Sequence, residues 1–135
     1  MLLLAGLAWA ASAVGAEPAV QRREPPAGEA IALRASGKLD PKLVPECSAL
    51  WPSPTQPGVF WTLSDSGAKP RITPVRADGS RVVGPGGYWD GPMLRGATNV
   101  DWEAIAGDER GQMVVGDVGN NVSRRKELAC YLFRE

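Results

Sequence analysis

Gly58-Val59-Phe60-Trp61-Thr62-Leu63 is entered from Pro57 and stopped by Ser64-Asp65-Ser66-Gly67. Its β-branched and aromatic residues suit a pleated, half-buried surface, and the turn residues at both ends confine it to strand length. The same rhythm continues outward in both directions. Leu43 to Trp51 is an apolar run ended by Pro52 and Pro54, and Ile31 to Arg34 is a shorter one before it. Arg71-Ile72-Thr73-Pro74-Val75-Arg76 alternates and closes at Asp78-Gly79, a hairpin-type turn, into Arg81-Val82-Val83. Pro74 has no N–H to donate, which predicts an outer or irregular position. Past a Gly/Pro-rich loop over 84–96 come Trp102 to Ala106, Gln112 to Asp117 and Leu128 to Phe133. No stretch keeps a helical period, and a strand roughly every ten residues predicts an antiparallel all-β protein.

The chain has 135 residues, enough for one ordinary domain. Lys plus Arg and Asp plus Glu are 15 each, so the net charge is zero and the electrostatic footprint of a nucleic-acid binder is missing. There is no histidine, which excludes a Ser-His-Asp triad, a histidine base and a histidine zinc ligand. Leu2 to Val14 is apolar, and Val14-Gly15-Ala16 offers a small-residue cleavage site; residues 1–16 are therefore expected to be a signal peptide. The mature chain is expected to be secreted or periplasmic and without a membrane span. Residues 17–29, with Pro18, Pro25 and Pro26, read as a linker, and 30–135 as the folded part. Cys47 and Cys130 are far apart in sequence, and a disulfide between them is an open alternative in an oxidising compartment.

Asp101 and Glu103 stand two apart, so on a strand both carboxylates project to one face. Asn99 shares that side if the strand begins early enough, and Asp117, Asn120 and Asn121 end the next strand. Hard oxygen ligands of this kind suit calcium, whereas zinc would want the missing His or clustered Cys. The alternative is purely structural: Asp117-Val118-Gly119-Asn120 as an Asx turn and Asp101 as a loop cap. A weak internal repeat adds organisation. Phe60 to Gly67 can be laid over Met113 to Asn120, and Asp65 and Asp117 are 52 residues apart, within the span of one four-stranded propeller blade.

Two groups of residues carry a family resemblance. Glu46-x-Ser48-Ala49-Leu50 with Pro57 to Gly67 resembles the first blade of secreted bacterial six-bladed β-propeller proteins, distantly similar to paraoxonases, gluconolactonases and the esterase-like phytase group. Asn99-Val100-Asp101-Trp102-Glu103-Ala104-Ile105-Ala106 and Gly116-Asp117-Val118-Gly119-Asn120-Asn121, with Arg124-Arg125 and Leu128-x-x-Tyr131, resemble the second. The family usually has His-Asn-Asp-Ser-Gly where this chain has Leu63-Ser64-Asp65-Ser66-Gly67. The resemblance implies antiparallel four-stranded blades, about two of them here, so that further blades or other chains would be needed to close a ring. It implies Glu46, Asn99, Asp101, Glu103, Asp117 and Asn120 as ligands of a calcium ion. It further implies a calcium-supported hydrolase of esters, lactones or phosphoesters in the full-length protein, with Glu103 as base. The chain by itself is expected to be inactive, as an N-terminal portion of the ring. The other class left open is a non-enzymatic propeller that binds a small-molecule ligand or a partner and holds a structural ion at most.

Overall fold

The computed structural model describes residues 32–135, so the expected leader, the expected linker and Ile31 lie outside the described residues. Eight strands form there: β1 (Cys47–Pro52), β2 (Val59–Ser64), β3 (Thr73–Arg76), β4 (Val83–Gly84), β5 (Gly87–Tyr88), β6 (Trp102–Gly107), β7 (Gln112–Asp117) and β8 (Ala129–Arg134). They make two three-stranded antiparallel sheets, β1-β2-β3 and β6-β7-β8, and a two-stranded ribbon, β4-β5. All-β antiparallel architecture is therefore the observed class.

Local chemistry sets the boundaries. The run expected from Leu43 starts pairing only at Cys47, because Asp40-Pro41 first forms a turn. There the Asp40 carbonyl accepts from the N–H groups of Leu43 at 2.9 Å and Val44 at 3.1 Å. Ala32 to Arg34 are exposed and form no strand, having no sheet to cover. Pro74 lies opposite Trp61 on β3, an outer strand of its sheet, where a missing donor is tolerated. The Asp78-Gly79 turn forms as predicted. Gly79 adopts a φ of 83°, and a side chain there would collide with the Lys38 carbonyl.

The two larger sheets share a local irregularity. Register slips by one residue between Cys47 and Ala49 in the first and between Trp102 and Ala104 in the second. Cys47 then faces Ser64, and Trp102 faces Asp117. Asp117 thus corresponds to Ser64, as the overlay of Phe60 to Gly67 on Met113 to Asn120 places it, and not to Asp65. Thr62 is fully buried and helps hold the first bulge, its hydroxyl donating to the Ala49 carbonyl at 2.8 Å.

A single apolar cluster joins the sheets. Trp61, Leu63, Ile72, Trp102, Ile105, Met113 and Val115 are buried together, and β6 packs against both β1 and β2. The Ser48 hydroxyl donates to the Trp102 carbonyl at 2.7 Å across that junction. Cys47 and Cys130 are free, exposed thiols on different sheets, so the disulfide alternative is not realised. Leu63 is wholly buried among residues of both sheets. Leu63→Ala is expected to destabilise the fold by about 2–5 kcal/mol through lost burial and the cavity left behind, measured by urea unfolding.

Candidate metal centre

The turn that ends β2 and the segment that enters β6 bring three carboxyl groups together. Asp65, Asp101 and Glu103 each offer an oxygen, and these oxygens lie within 4.8 Å of one another. Asp101 is 8% exposed, and its Oδ1 has no hydrogen-bond partner among the described residues. Asp65 and Glu103 are half-buried. A carboxylate oxygen so enclosed can be satisfied in two ways: by a proton shared with the facing Asp65 carboxyl, or by a cation.

A clamp built from the expected ligands sets the entry to β6. The Asp117 carboxylate is 1% exposed; its Oδ1 accepts from the Asp101 N–H at 2.9 Å and its Oδ2 from the Val100 N–H at 3.3 Å. Arg125 Nη1 then donates to Asp117 Oδ1 at 2.7 Å and to the Gly119 carbonyl at 2.9 Å. Asn120 Oδ1 accepts from the Arg125 N–H at 3.1 Å. Asn99 works on the other side: its Nδ2 donates to the carbonyls of Ser64 at 3.0 Å and Asp65 at 2.8 Å, while its Oδ1 accepts from the Trp102 N–H at 3.3 Å.

Of the six residues expected as ligands, the structure gathers Asp101 and Glu103. It uses Asn99, Asp117 and Asn120 as scaffold, and Asp117 is paired to a guanidinium. Glu46 is exposed, outside the carboxyl group, and contributes its main-chain carbonyl to the Asp65 N–H at 3.0 Å. Asp65 was not among the expected ligands. Its Ser-Asp-Ser-Gly turn reads as an ordinary strand stop, and only the approach of the β6 entry gives it carboxyl neighbours.

Gly119 lies directly against Asp101. Its N–H donates to the Asp101 carbonyl at 3.0 Å, and a Cβ added there would fall on the Asp101 carboxyl group, 2.6 Å or less from both oxygens. No side chain fits without displacing Asp101. Gly119→Ala is expected to abolish any cation response of the protein while leaving an ordinary β-sheet circular dichroism spectrum. A retained response would mean that Asp101 is not needed in its observed position.

Electrostatics follow the crowding. The Asp101 carboxyl is pushed above the usual aspartate range, first by hydrogen bonding to Asp65, then by burial and by the Asp65 charge; Arg125 acts in the opposite direction. Glu103 is raised above its usual range by burial, with the charges of Asp65 and Asp101 adding to it. Groups with raised carboxylate pKa values bind more protons folded than unfolded, so their contribution to stability falls as pH rises through and above their ordinary values of 3.8 and 4.5. Asp101→Asn keeps the shape and mimics the protonated acid. In chelator its melting midpoint is expected to match the unaltered protein near pH 4 and to exceed it at pH 7. An Asn variant less stable at pH 7 would contradict the repulsion. No family model, curated protein or solved structure matches this chain.

Proposed function

We propose that the protein binds a calcium-type divalent cation through Asp65, Asp101 and Glu103, within a secreted or periplasmic β-propeller hydrolase of esters, lactones or phosphoesters. The observation that carries the cation reading is the enclosed, unpartnered Asp101 Oδ1 facing two further carboxyls. An all-oxygen, mixed-geometry donor set of this charge suits calcium better than magnesium, whose rigid octahedron it fits poorly. When bound, such an ion would supply a Lewis acid for a developing oxyanion. Glu103 is half-buried in this cluster and would act as a base only through an oxygen that the ion leaves free. Propeller architecture is supported by the two bulged, three-stranded repeats packed through β1 and β6, together with the motif resemblance. The apolar leader supports export.

One observation favours a second reading, in which the ion is structural. Asp65 follows β2 of one sheet and Glu103 lies on β6 of the other, so a cation here would staple the sheets together. Thermal melting in calcium, magnesium or chelator tests the site. Calcium is expected to raise the midpoint by several degrees and magnesium by less, and Asp101→Asn to remove the response. Identical melts in all three conditions would end the cation reading. In a protein carrying the full ring, calcium-dependent turnover of an ester, lactone or phosphoester panel that disappears in Glu103→Gln selects the hydrolase; a calcium-shifted melt there with no turnover selects the staple.

A further inference from the structure

β8 is the outermost strand of its sheet, and among the described residues only its β7 side is paired. By contrast, the outer side of β3 takes bridges from Arg81 to Val75 and from Met93 to Arg71. The ladder shows which β8 residues are left over. The Glu135 N–H donates to the Gly111 carbonyl at 3.0 Å, which continues the β7–β8 register by one pair. In an antiparallel ladder, alternate residues turn both main-chain groups to the same neighbour. Ala129, Tyr131 and Phe133 therefore bond to β7, and Cys130, Leu132 and Arg134 aim their N–H and C=O groups outward.

Such an edge invites another strand, and folds commonly blunt it with Lys, Pro or a bulge. Ala129-Cys130-Tyr131-Leu132-Phe133-Arg134 has none of these: it pairs with β7 in unbroken register, and its one charge is Arg134. Leu132 is 77% exposed. Symmetry then selects the partner. When two copies of β8 pair antiparallel about a two-fold axis, outward-facing residues must meet outward-facing residues. Only a register centred on Leu132 pairs all three with one another: Leu132 with Leu132 of the second copy, and Cys130 with Arg134 in both directions. It also sets Tyr131 opposite Phe133 twice, and no like charges face each other. Centring on Tyr131 would set Glu127 against Glu135, and centring on Cys130 would set Lys126 against Arg134; both are repulsive.

We propose that two copies of this chain join edge to edge through β8, so that the β6-β7-β8 sheet continues into its two-fold mate across the Leu132 pair. The main-chain groups left over at the edge become hydrogen-bonded, the exposed Leu132 is covered by its equivalent, and the Tyr131–Phe133 contacts add cross-strand aromatic pairing. The interface uses none of the cluster carboxyls and stands or falls separately from the cation reading.

Sedimentation velocity of the unaltered chain across the micromolar range, paired with amide hydrogen exchange, tests this interface. A monomer–dimer equilibrium is expected, and exchange at Cys130, Leu132 and Arg134 is expected to slow about tenfold as the dimer forms. The amides of Tyr131 and Phe133, already bonded to β7, are expected to be protected at every concentration. Leu132→Lys and Leu132→Glu each set like charges against each other on the axis and are expected to be monomeric. Leu132 is exposed, so both variants are expected to keep the circular dichroism spectrum of the unaltered chain. Mixed together they are expected to recover the dimer, because opposite charges then meet. A chain that stays monomeric throughout would overturn the proposal. So would a dimer whose edge amides exchange freely, or folded variants that fail to pair when mixed. Protection of the three outward amides in the monomer would also overturn it, by showing that the edge is covered within one chain.

Discussion

A buried carboxylate organises the junction on which the rest depends. Asp117 ends β7 with almost no exposure, and an ionised group there is tolerable only if fully engaged. Two backbone N–H groups and one guanidinium engage it. Satisfying this one charge fixes the 99–101 turn against the end of β7 and draws the 119–125 loop across it through Arg125. The entry to β6 is thereby set, and with it the place of Asp101. Removing Arg125 would leave a buried, uncompensated charge, which is far worse than losing a surface ion pair.

From that junction the apolar packing takes over. Trp102 follows the clamped turn directly and is completely buried, with its indole N–H on the Thr98 carbonyl at 2.9 Å. It shares a cluster with Trp61 and Leu63 of the other sheet, so the polar clamp and the core position the same few residues. β2 is the strand that meets every part. Trp61 packs edge to face on Trp89, the Thr62 hydroxyl ties the β1 bulge, Leu63 fills the core, and Asp65 turns into the carboxyl cluster. Its two-sided burial explains why this segment is also the most readable in sequence.

Strands were legible because their signal is local. Val59 to Ser64 and Gln112 to Asp117 announce themselves by β-branched and aromatic content between turn residues, and both form. Trp102 to Ala106 reads as a strand for the same reason, and only the end at Gly107 differs. The site was half legible. Same-face spacing brought out Asp101 and Glu103, yet Asp117 and Asn120 carry the same side-chain chemistry and serve the scaffold. Whether an Asp is free to take a ligand depends on what already bonds to it. For Asp117 that is an arginine eight positions away, across a loop whose path the sequence does not spell out. Asp65 was hidden by the converse: its turn looks ordinary, and only the packing of one sheet on the other gives it carboxyl neighbours.

The contrast between Asp117 and Asp101 separates scaffold from function more sharply than residue type does. Both are buried aspartates flanking one junction, and each lies within the field of Arg125. Asp117 has every need met, so its charge is structural and asks for nothing further. Asp101 keeps an unpartnered oxygen, faces two like groups, and fills the space that a side chain at Gly119 would need. Left to stability alone, a chain would relax such an arrangement by turning one carboxyl to water or neutralising it with a base. Local rules broken without compensation, beside others satisfied in full, mark where a fold is shaped by something other than its own stability. Here the break has a single sign, and a proton shared with Asp65 or a cation would relieve it.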